Sequence, residues 1–437
     1  MVFNPRISAV EHSSTPDQLL YPYLIASDAS ATYSWKCDGS QPTLRGKLLG
    51  SGAFTQHINI GMGRVLSLDR APQDSKTVTI LYIHDLDSGA LLDRKILFQA
   101  NSIGGIVSDG EFLGEFQGKI AVFWATHTTE PGGLVEIHTI SEEGKFKFEE
   151  ILHPPAGLAS KMSNQFGNTS SYLLLHSPRG LLEVARDTNF PTAIQITRWS
   201  KNARDATYRT IPFASPTRLT NDSQKKWSAI HGFVTLPETN AFALANYESY
   251  HEGQDPCPST VVRSIDADTL RTNWEVIVQH RSENIRYIPH LNVLLSFSYD
   301  DIFIVDIVDG TIKNTYGIPQ LQRPCGSVWG ARGADAIDVT ESGKELGVVC
   351  GDGQMCVIPL EAFVESGFQC ALNEEGKLIT RPFPDLPISR PKSDTDRQKW
   401  EKGHWAWVRN VFFADQMVIL QAGDQNPRPG FVVVSWD

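Results

Sequence analysis

The chain has no long apolar run. No stretch approaches the ~18 uninterrupted apolar residues that a membrane-spanning helix needs. The N-terminal segment contains Arg6 and Glu11 and lacks the ~7 to 15 apolar residues at the centre of a signal peptide. We therefore expect a soluble, cytoplasmic protein that has no membrane partner.

Motifs for metals, cofactors and catalysis are missing as well. The six cysteines form no Cys-x-x-Cys pair, and the twelve histidines are scattered without a His-Glu-x-x-His pair. The chain has no Gly-x-Ser-x-Gly nucleophile elbow, and its glycine-rich stretches lack the following helix that a phosphate-binding loop needs. We expect reduced thiols, no metal site and no cofactor, and the sequence identifies no catalytic residue.

A surplus of basic charge is also lacking. Acidic residues outnumber basic ones by 50 to 39, and the formal net charge of −11 is spread along the chain. Binding to nucleic acid needs a concentrated Lys/Arg surface that displaces counterions from phosphates. The charge pattern therefore predicts that nucleic acid is not a partner.

What the chain does contain is many short runs of β-branched and aromatic residues, each bounded by Gly, Asp, Asn or Pro. Examples are VTILYIHD, DIFIVDIV and FVVVSW. Runs of about four to eight such residues without helical periodicity are typical of buried or half-buried β-strands. The pattern predicts an all-β fold.

Four segments share one hairpin design, in which a strand ends in Asp or a polar residue and a tight turn leads into the next strand. The turns are Asp85 to Gly89, Asp266 to Thr269 and Asp306 to Gly310, with a looser copy around Gly144. Gly tolerates the positive φ of such turns, and Asp tolerates it better than most residues. Two further strands precede each hairpin, which predicts a repeating four-stranded unit.

The spacing of these units predicts one β-propeller domain over residues 1–437, with about eight four-stranded blades. Seven blades remain possible, because the last segment has three clear strands. The N-terminal RISAVE (Arg6 to Glu11) is expected to complete the last blade and close the ring. The predicted blades are 5–49, 56–99, 103–151, 160–212, 227–279, 284–317, 333–380 and 405–437.

One segment breaks the strand rhythm. Residues 381–404, RPFPDLPISRPKSDTDRQKWEKGH, are rich in proline and mixed charge. Proline disfavours ladder pairing, and long loops on rigid scaffolds often carry function. We expect an insertion between the last two blades.

The turn DADTLRTNW (Asp266 to Trp274) resembles the tryptophan-docking motif of quinoprotein dehydrogenases, Asp-x-x-Thr-Gly-x-x-x-Trp, with Leu270 in place of Gly. The resemblance implies a divergent quinoprotein-like or WD-repeat-like β-propeller of fungal type. Enzymes of that family bind pyrroloquinoline quinone and calcium beside a vicinal disulfide. This chain has no adjacent cysteine pair and only one docking Trp, Trp274, so the resemblance does not imply the cofactor.

Two loops before the last blades are candidate binding sites. Trp329 and Arg332 lie in CGSVWGARGADAID, while His404, Trp405, Trp407 and Arg409 lie in GHWAWVRN. Trp and Arg are enriched in binding hot spots because they combine a large contact area with directed polar groups. The alternative is that Trp405 or Trp407 fills the space between blades.

A third candidate is the polar, aromatic stretch NYESYHEGQDPCPS (Asn246 to Ser259), expected as a loop between two strands of the fifth blade. Tyr247 and His251 are its candidate binding residues, close to Tyr250 and Glu252. Such residues can supply a general acid or base. The alternative is that they hydrogen-bond to neighbouring loops.

Two functions follow. The first is a non-catalytic scaffold that presents loops to a protein partner. The second is a small-molecule enzyme, a cyclase, isomerase or hydrolase of fungal specialised metabolism, with its site in the central funnel and a small-molecule ligand. Function belongs to the site and not to the fold, so the architecture does not decide between them.

Overall fold

The computed structural model describes most of the predicted strands and their turns. The described residues are 6–10, 15–20, 22–27, 31–38, 42–49, 56–73, 76–99, 109–116, 119–125, 134–155, 172–177, 180–186, 193–212, 227–252, 255–278, 282–298, 301–317, 337–340, 342–349, 354–374, 379, 381–382, 408–414, 417–422 and 431–435.

The strands are short and follow one another closely. From the N-terminus they are β1 (Arg6–Val10), β2 (Thr15–Leu20), β3 (Tyr23–Ser27), β4 (Thr32–Lys36), β5 (Thr43–Leu48), β6 (Gln56–Asn59), β7 (Arg64–Gln73), β8 (Lys76–Asp85), β9 (Leu91–Gln99), β10 (Asp109–Phe116), β11 (Lys119–Ala125), β12 (Leu134–Ile140), β13 (Phe146–Leu152), β14 (Tyr172–Ser177), β15 (Gly180–Arg186) and β16 (Ala193–Arg198). They continue as β17 (Thr207–Pro212), β18 (Trp227–Leu236), β19 (Ala241–Glu252), β20 (Asp255–Asp266), β21 (Thr272–Val278), β22 (Ser282–Ile288), β23 (Val293–Ser298), β24 (Asp301–Asp306), β25 (Ile312–Gly317), β26 (Ile337–Val339), β27 (Glu345–Val349), β28 (Gln354–Pro359), β29 (Arg381–Pro382), β30 (Val408–Ala414), β31 (Met417–Ala422) and β32 (Phe431–Ser435).

The protein is an all-β propeller, as the sequence predicts. The described residues form eight four-stranded antiparallel sheets, and in seven of them the four strands are consecutive in the chain. The remaining sheet has the order β1-β32-β31-β30. Arg6 pairs with Ser435 and Val10 with Phe431, so the predicted pairing of the N-terminal strand with the last segment is confirmed. The first sheet consequently begins at Thr15 and not near residue 5.

The chain divides into two compact units, Met1–Lys47 with Ser282–Asp437, and Leu48–Arg281. In the second unit, apolar faces of neighbouring sheets pack together. One cluster joins β6–β9 to β10–β13 and another joins β14–β17 to β18–β21. The buried members are Leu66, Leu68, Leu81, Ile83, Ile120 and Val122 in the first, and Leu182, Ile194, Ile196, Ile211, Phe242, Leu244, Ile265, Ala267 and Leu270 in the second.

In the first unit, apolar faces of neighbouring sheets also pack together. Trp35, Met417 and Val433 belong to the cluster between β2–β5 and the β1/β30–β32 sheet. A Cβ added at Gly347 of β27 would overlap the ring of Phe413 in β30, so this glycine allows two sheets to approach closely. Burial of this kind stabilises a fold by roughly 25 cal/mol per Å² of apolar surface.

In three places, a polar side chain of one sheet donates to a backbone carbonyl of a neighbouring segment in the same unit. Arg64 of β7 donates to the carbonyl oxygens of Ser141 and Glu142, in the turn between β12 and β13. Arg198 of β16 donates to the Ala267 carbonyl in the turn after β20. The Tyr316 hydroxyl donates to the Val364 carbonyl at 3.0 Å. These hydrogen bonds add directed contacts to the apolar packing at those three places.

Three of the four predicted hairpin turns have one geometry, and in the fourth the Gly144 N–H donates to the Ser141 carbonyl, three residues earlier. The N–H of Gly89, Leu270 and Gly310 donates to the carbonyl oxygen four residues earlier, that of Asp85, Asp266 and Asp306 respectively. These residues and Gly144 all have positive φ. The connection in these three turns is four residues long, because the Asp85 N–H donates to the Ala90 carbonyl and the Asp266 N–H to the Arg271 carbonyl.

Leu270 shows how the docking motif tolerates its substitution. Its φ is 57°, the left-handed conformation for which the family motif has Gly, and its side chain is 3% exposed. Burial in the cluster with Leu182 and Ile265 offsets the backbone cost. Trp274 is buried, and hydrogen bonds to the Asp266 carboxylate from the backbone and hydroxyl of Thr269 complete the turn.

A helical segment between β28 and β29 was not predicted. The α-helix α1 (Leu360–Ser366) is followed by a 3-10 helix (Gly367–Ala371). Leu360 and Phe363 are its buried residues, and this i, i+3 spacing with Gly367 after the helix is the signal that could have found it. Two further 3-10 turns, Pro237–Thr239 and Pro289–Leu291, join the first two strands of their sheets.

The first two residues of the predicted insertion form a strand. Arg381 and Pro382 form β29 and pair with Met355 and Gln354 of β28. Proline is tolerated there because β29 is the outermost strand of its sheet. Residues 383–404 of the predicted insertion lie outside the described residues.

Candidate functional site

The stretch from Asn246 to Ser259 is a β-hairpin, so the prediction of a loop was wrong. β19 and β20 are each 12 residues long and pair without a register shift, from Ala241 opposite Asp266 to Glu252 opposite Asp255. Tyr and Thr favour strands even where the neighbouring residues are polar, and the polar composition hid this propensity. We call Asn246–Glu252 with Asp255–Ser259 the projecting hairpin; residues 253–254 are outside the described part of the chain.

Within the described residues, the projecting hairpin continues past the last paired residues of the strands beside it. β18 begins at Trp227, opposite Ser249, and β21 ends at Val278, opposite Thr260. The pairs from Tyr250–Cys257 to Glu252–Asp255 therefore have only each other as ladder partners among the described strands. At about 3.4 Å per residue, the two-stranded end reaches about 10 Å beyond Ser249.

Two prolines lie on one edge of this hairpin. Pro256 is opposite His251 and Pro258 is opposite Ser249, both in the part of β20 that continues past β21. Residues two apart direct their backbone N–H to the same side of a strand, and proline has no N–H. This edge therefore lacks donors for an added strand, which protects against pairing through the main chain.

A buried guanidinium fixes the base of the hairpin. Arg263 of β20 has no exposed surface, and it donates from Nε to Glu275 Oε2 at 3.2 Å and from Nη1 to Asn246 Oδ1. The three residues lie on β20, β21 and β19 respectively, so one side chain connects three strands. Removing one partner of such a buried group is costly because the other is left without its hydrogen bond.

Sequence reasoning missed Arg263, although a signal was present. Val261 and Ile265, two residues before and two after, are fully buried. Residues two apart share a face of a strand, so an Arg between them must lie on an apolar face. A buried Arg needs partners, and Asn246 and Glu275 supply them.

Tyr247 and His251 do not form an acid–base pair with each other. Four residues along one strand put both positions on the same face, about 13 Å apart, which is far beyond hydrogen-bond distance. Position 252 is on the opposite face from position 251. The two positions are therefore separate points along one strand.

The second long hairpin, β7–β8, repeats the design. Its strands are 10 residues long, and β6 begins at Gln56, opposite Leu68. Pro72 lies opposite Thr77, beyond the part of β7 that pairs with β6. Its tip, RAPQDSKT, has mixed charge. It is therefore a natural control for the projecting hairpin.

The sheet of strands β6–β9 contains two buried imidazoles, His57 in β6 and His84 in β8. His57 Nδ1 is hydrogen-bonded to Ser67 Oγ at 3.0 Å, and His84 donates from Nε2 to the Leu49 carbonyl at 3.0 Å. Burial lowers the pKa of both to about 4, helped at His57 by the nearby His84. The Ser–His contact is not a catalytic dyad, because Ser67 has no exposed surface that a substrate could reach.

His138 lies between two sheets of the same unit. Its Nε2 donates to Glu136 Oε2 at 3.0 Å, and the same oxygen is 3.1 Å from Lys95 Nζ of β9. The ring also makes edge contacts with Phe146 and Phe148. Burial lowers its pKa, against the opposing effect of Glu136. The arrangement holds a neutral imidazole and joins β9 to β12.

Thiols and metal ligands give no reactive centre in the described part of the chain. Cys37 and Cys356 are buried thiols, Cys370 is an exposed thiol, and none of the three forms a disulfide. Burial, followed by the charge of Asp38, raises the pKa of Cys37 to about 12, so this thiol stays protonated. No group of three or more His, Cys, Asp or Glu side chains is placed to hold a metal ion in these ranges.

The other predicted site residues are placed only in part. Trp329, Arg332, His404, Trp405 and Trp407 lie outside the described residues. Arg409 lies in β30, where the structure gives its backbone. No helix within the described ranges is both long enough and apolar enough to cross a membrane.

Comparison with known proteins gives similarity at the level of structure. No family model and no curated protein sequence matches the chain. The chain is similar to BamB from Moraxella catarrhalis, with 12% identity, a TM-score of 0.45, and 100% of both chains covered. It is also similar to the Cps50 (Swd1) β-propeller domain of Myceliophteria thermophila, with 9% identity, a TM-score of 0.42, and 98% of this chain and 99% of that one covered. A chain of the mitotic checkpoint complex matches with 11% identity, a TM-score of 0.38, and coverage of 81% and 93%.

Proposed function

We propose that the protein is a non-catalytic β-propeller scaffold, a single domain that binds a protein partner through the projecting hairpin. The observation that supports this is the pairing of β19 with β20 beyond the last described partners in β18 and β21, together with Pro256 and Pro258 in that part of β20. A binding role accounts for a hairpin that pairs without a register shift from Ala241–Asp266 to Glu252–Asp255.

The proline positions specify how the partner would be recognised. Pro256 and Pro258 remove two donors from the edge that an added strand would use. Recognition then depends on side chains such as Tyr247 and His251. Tyr is enriched in interfaces because it combines a large apolar area with a polar group at modest entropic cost.

The experiment compares two shortened hairpins in the full chain. In the test variant, an Asn-Gly turn replaces Tyr250–Cys257 and joins Ser249 to Pro258, which already face each other. In the control, the same turn replaces Pro72–Thr77 and joins the facing residues Ala71 and Val78. Both variants should keep the melting temperature of the unaltered chain.

Partners are captured by cross-linking in an extract of the source cells and identified by mass spectrometry. We expect proteins that bind the unaltered chain and the control to be lost with the test variant. If the test variant captures the same proteins as the control, the hairpin is not the binding site and the proposal fails.

The proposal keeps Trp329, Arg332, His404, Trp405, Trp407 and Arg409 as a second binding surface. Exchange of Arg332 and Trp405 for Ala should then abolish partner binding with little change in thermal stability. A large loss of stability would instead assign these side chains to packing between blades.

A further inference from the structure

Met62 differs from the other residues that have a left-handed backbone. In the part of the chain that the structure describes, the non-glycine residues with positive φ are Met62, Asn240, Leu270 and Asn292. This conformation is unfavourable for most residues, but Asn tolerates it, and at Leu270 burial of the side chain offsets its cost. Met62 is 71% exposed. Packing in the fold therefore does not account for methionine at this position.

The turn between β6 and β7 is fixed by its backbone. Gly61, Met62 and Gly63 have φ of 80°, 53° and 66°, so three consecutive residues are left-handed. The Arg64 N–H donates to the Gly61 carbonyl at 3.0 Å, and the Leu86 N–H donates to the Gly63 carbonyl at 2.8 Å. These bonds join main-chain atoms, so they do not depend on the chemical state of the Met62 side chain.

The other methionines that the structure describes are buried. Met355 of β28 and Met417 of β31 are each 2% exposed, while Met1 and Met162 lie outside the described residues. Oxidation to the sulfoxide makes the apolar methionine side chain polar, which disrupts a packed core. A sulfoxide at Met355 or Met417 would be costly, whereas one at Met62 would remain in contact with water.

We infer that Met62 is a site of reversible oxidation by peroxide. The thioether sulfur takes one oxygen atom from hydrogen peroxide as the O–O bond breaks, and the other oxygen leaves as water. Methionine sulfoxide reductases reverse the change, since two thiols remove the oxygen as water and become a disulfide. This inference goes beyond the proposed scaffold function and does not depend on it.

The test treats the full chain with hydrogen peroxide and follows oxygen addition at each methionine by mass spectrometry of its peptides. Treatment in urea, where the chain is unfolded, gives the reference rate for each peptide. In the folded chain Met62 should react within about 2-fold of its rate in urea, and Met355 and Met417 at least about 10-fold more slowly than in urea.

The fold should tolerate the modification. Limited peroxide treatment should leave the melting temperature unchanged, and Met62→Leu treated identically is the control for oxidation of the other methionines. Met62→Gly should not lower the midpoint of urea unfolding, because Gly adopts the left-handed conformation readily. Met417→Gly should lower it, because a cavity forms in a packed cluster. The reductases should restore the Met62 thioether without unfolding of the chain.

Three results would overturn the inference. Protection of Met62 equal to that of Met355 and Met417 would mean that the thioether is not accessible. A lower stability of Met62→Gly, or a loss of melting temperature on oxidation that Met62→Leu does not share, would mean that the side chain contributes to packing. A sulfoxide that the reductases remove only in urea would mean that the modification is not reversible in the folded protein.

Discussion

Stability should fall between about pH 6.5 and pH 4 because of two buried imidazoles. The pKa of His57 and of His84 is lowered to about 4 by burial, from an ordinary value of 6.5. Between these pH values both histidines bind protons in the unfolded chain but stay largely neutral in the folded chain. The free energy of unfolding therefore rises with pH. The part of the free energy of unfolding that depends on neutral His57 and His84 is fully present above about pH 6.5 and is lost as the pH falls toward 4.

The size of the effect follows from the two pKa values. At pH 5 each imidazole, treated alone, favours the unfolded state by about 2 kcal/mol more than at neutral pH. The two effects are not independent, since His84 contributes to the shift at His57. The combined loss of stability at the two histidines is larger than the loss expected from an exposed surface histidine.

Urea unfolding at pH 7, 6 and 5, followed by tryptophan fluorescence, measures the effect. His57→Gln and His84→Gln should each lower the stability at pH 7 but remove about 2 kcal/mol of the loss between pH 7 and pH 5. His290→Gln, at an exposed turn, is the control and should leave the pH dependence unchanged. Equal pH dependence in the unaltered chain and both buried-site variants would refute the reasoning.

Three further predictions concern packing and strand pairing. Leu270→Gly should relieve the left-handed backbone but leave a cavity, with a net loss of about 2 kcal/mol in urea unfolding; unchanged or higher stability would mean that the backbone cost exceeds the packing gain. Gly347→Ala should lower the melting temperature because its Cβ would overlap Phe413, and the added change Phe413→Leu should recover part of the loss if the overlap is the cause. Deletion of residues 1–10, or termination of the chain at Gly430, should also lower the melting temperature, because each leaves the β1/β30–β32 sheet without a strand. A chain ending at Gly430 that melts like the full chain would contradict this expectation.

Local sequence signals predicted the elements of the fold well. The alternation of apolar runs with Gly and Asp turns gave the strands, since strand propensity and turn conformation depend on neighbouring residues. Positive φ at Gly89, Gly144 and Gly310 follows from the absence of a Cβ. The pairing of Arg6 to Val10 with the last strand was expected from the need to complete a three-stranded segment.

The candidate site was predicted only in part. The sequence singled out the residues of the projecting hairpin, but their polar composition predicted a loop. The length of β19 and β20 depends on how far the two strands pair with each other, and composition does not predict that pairing. The structural role of Pro256 and Pro258 follows from their positions beyond the last residue of β20 that pairs with β21, and the sequence does not give those positions.

The sequence by itself determined the all-β class, the repeat and the acidic charge, because each of these depends on composition or on residues close together in the chain. Tertiary structure decided which residues are buried together. Leu270 keeps a strained backbone because residues of another sheet surround its side chain, and Arg263 is tolerated in a core because Asn246 and Glu275 reach it from two other strands. Free energies of burial depend on neighbours distant in sequence, and pairing across strands brings those neighbours together.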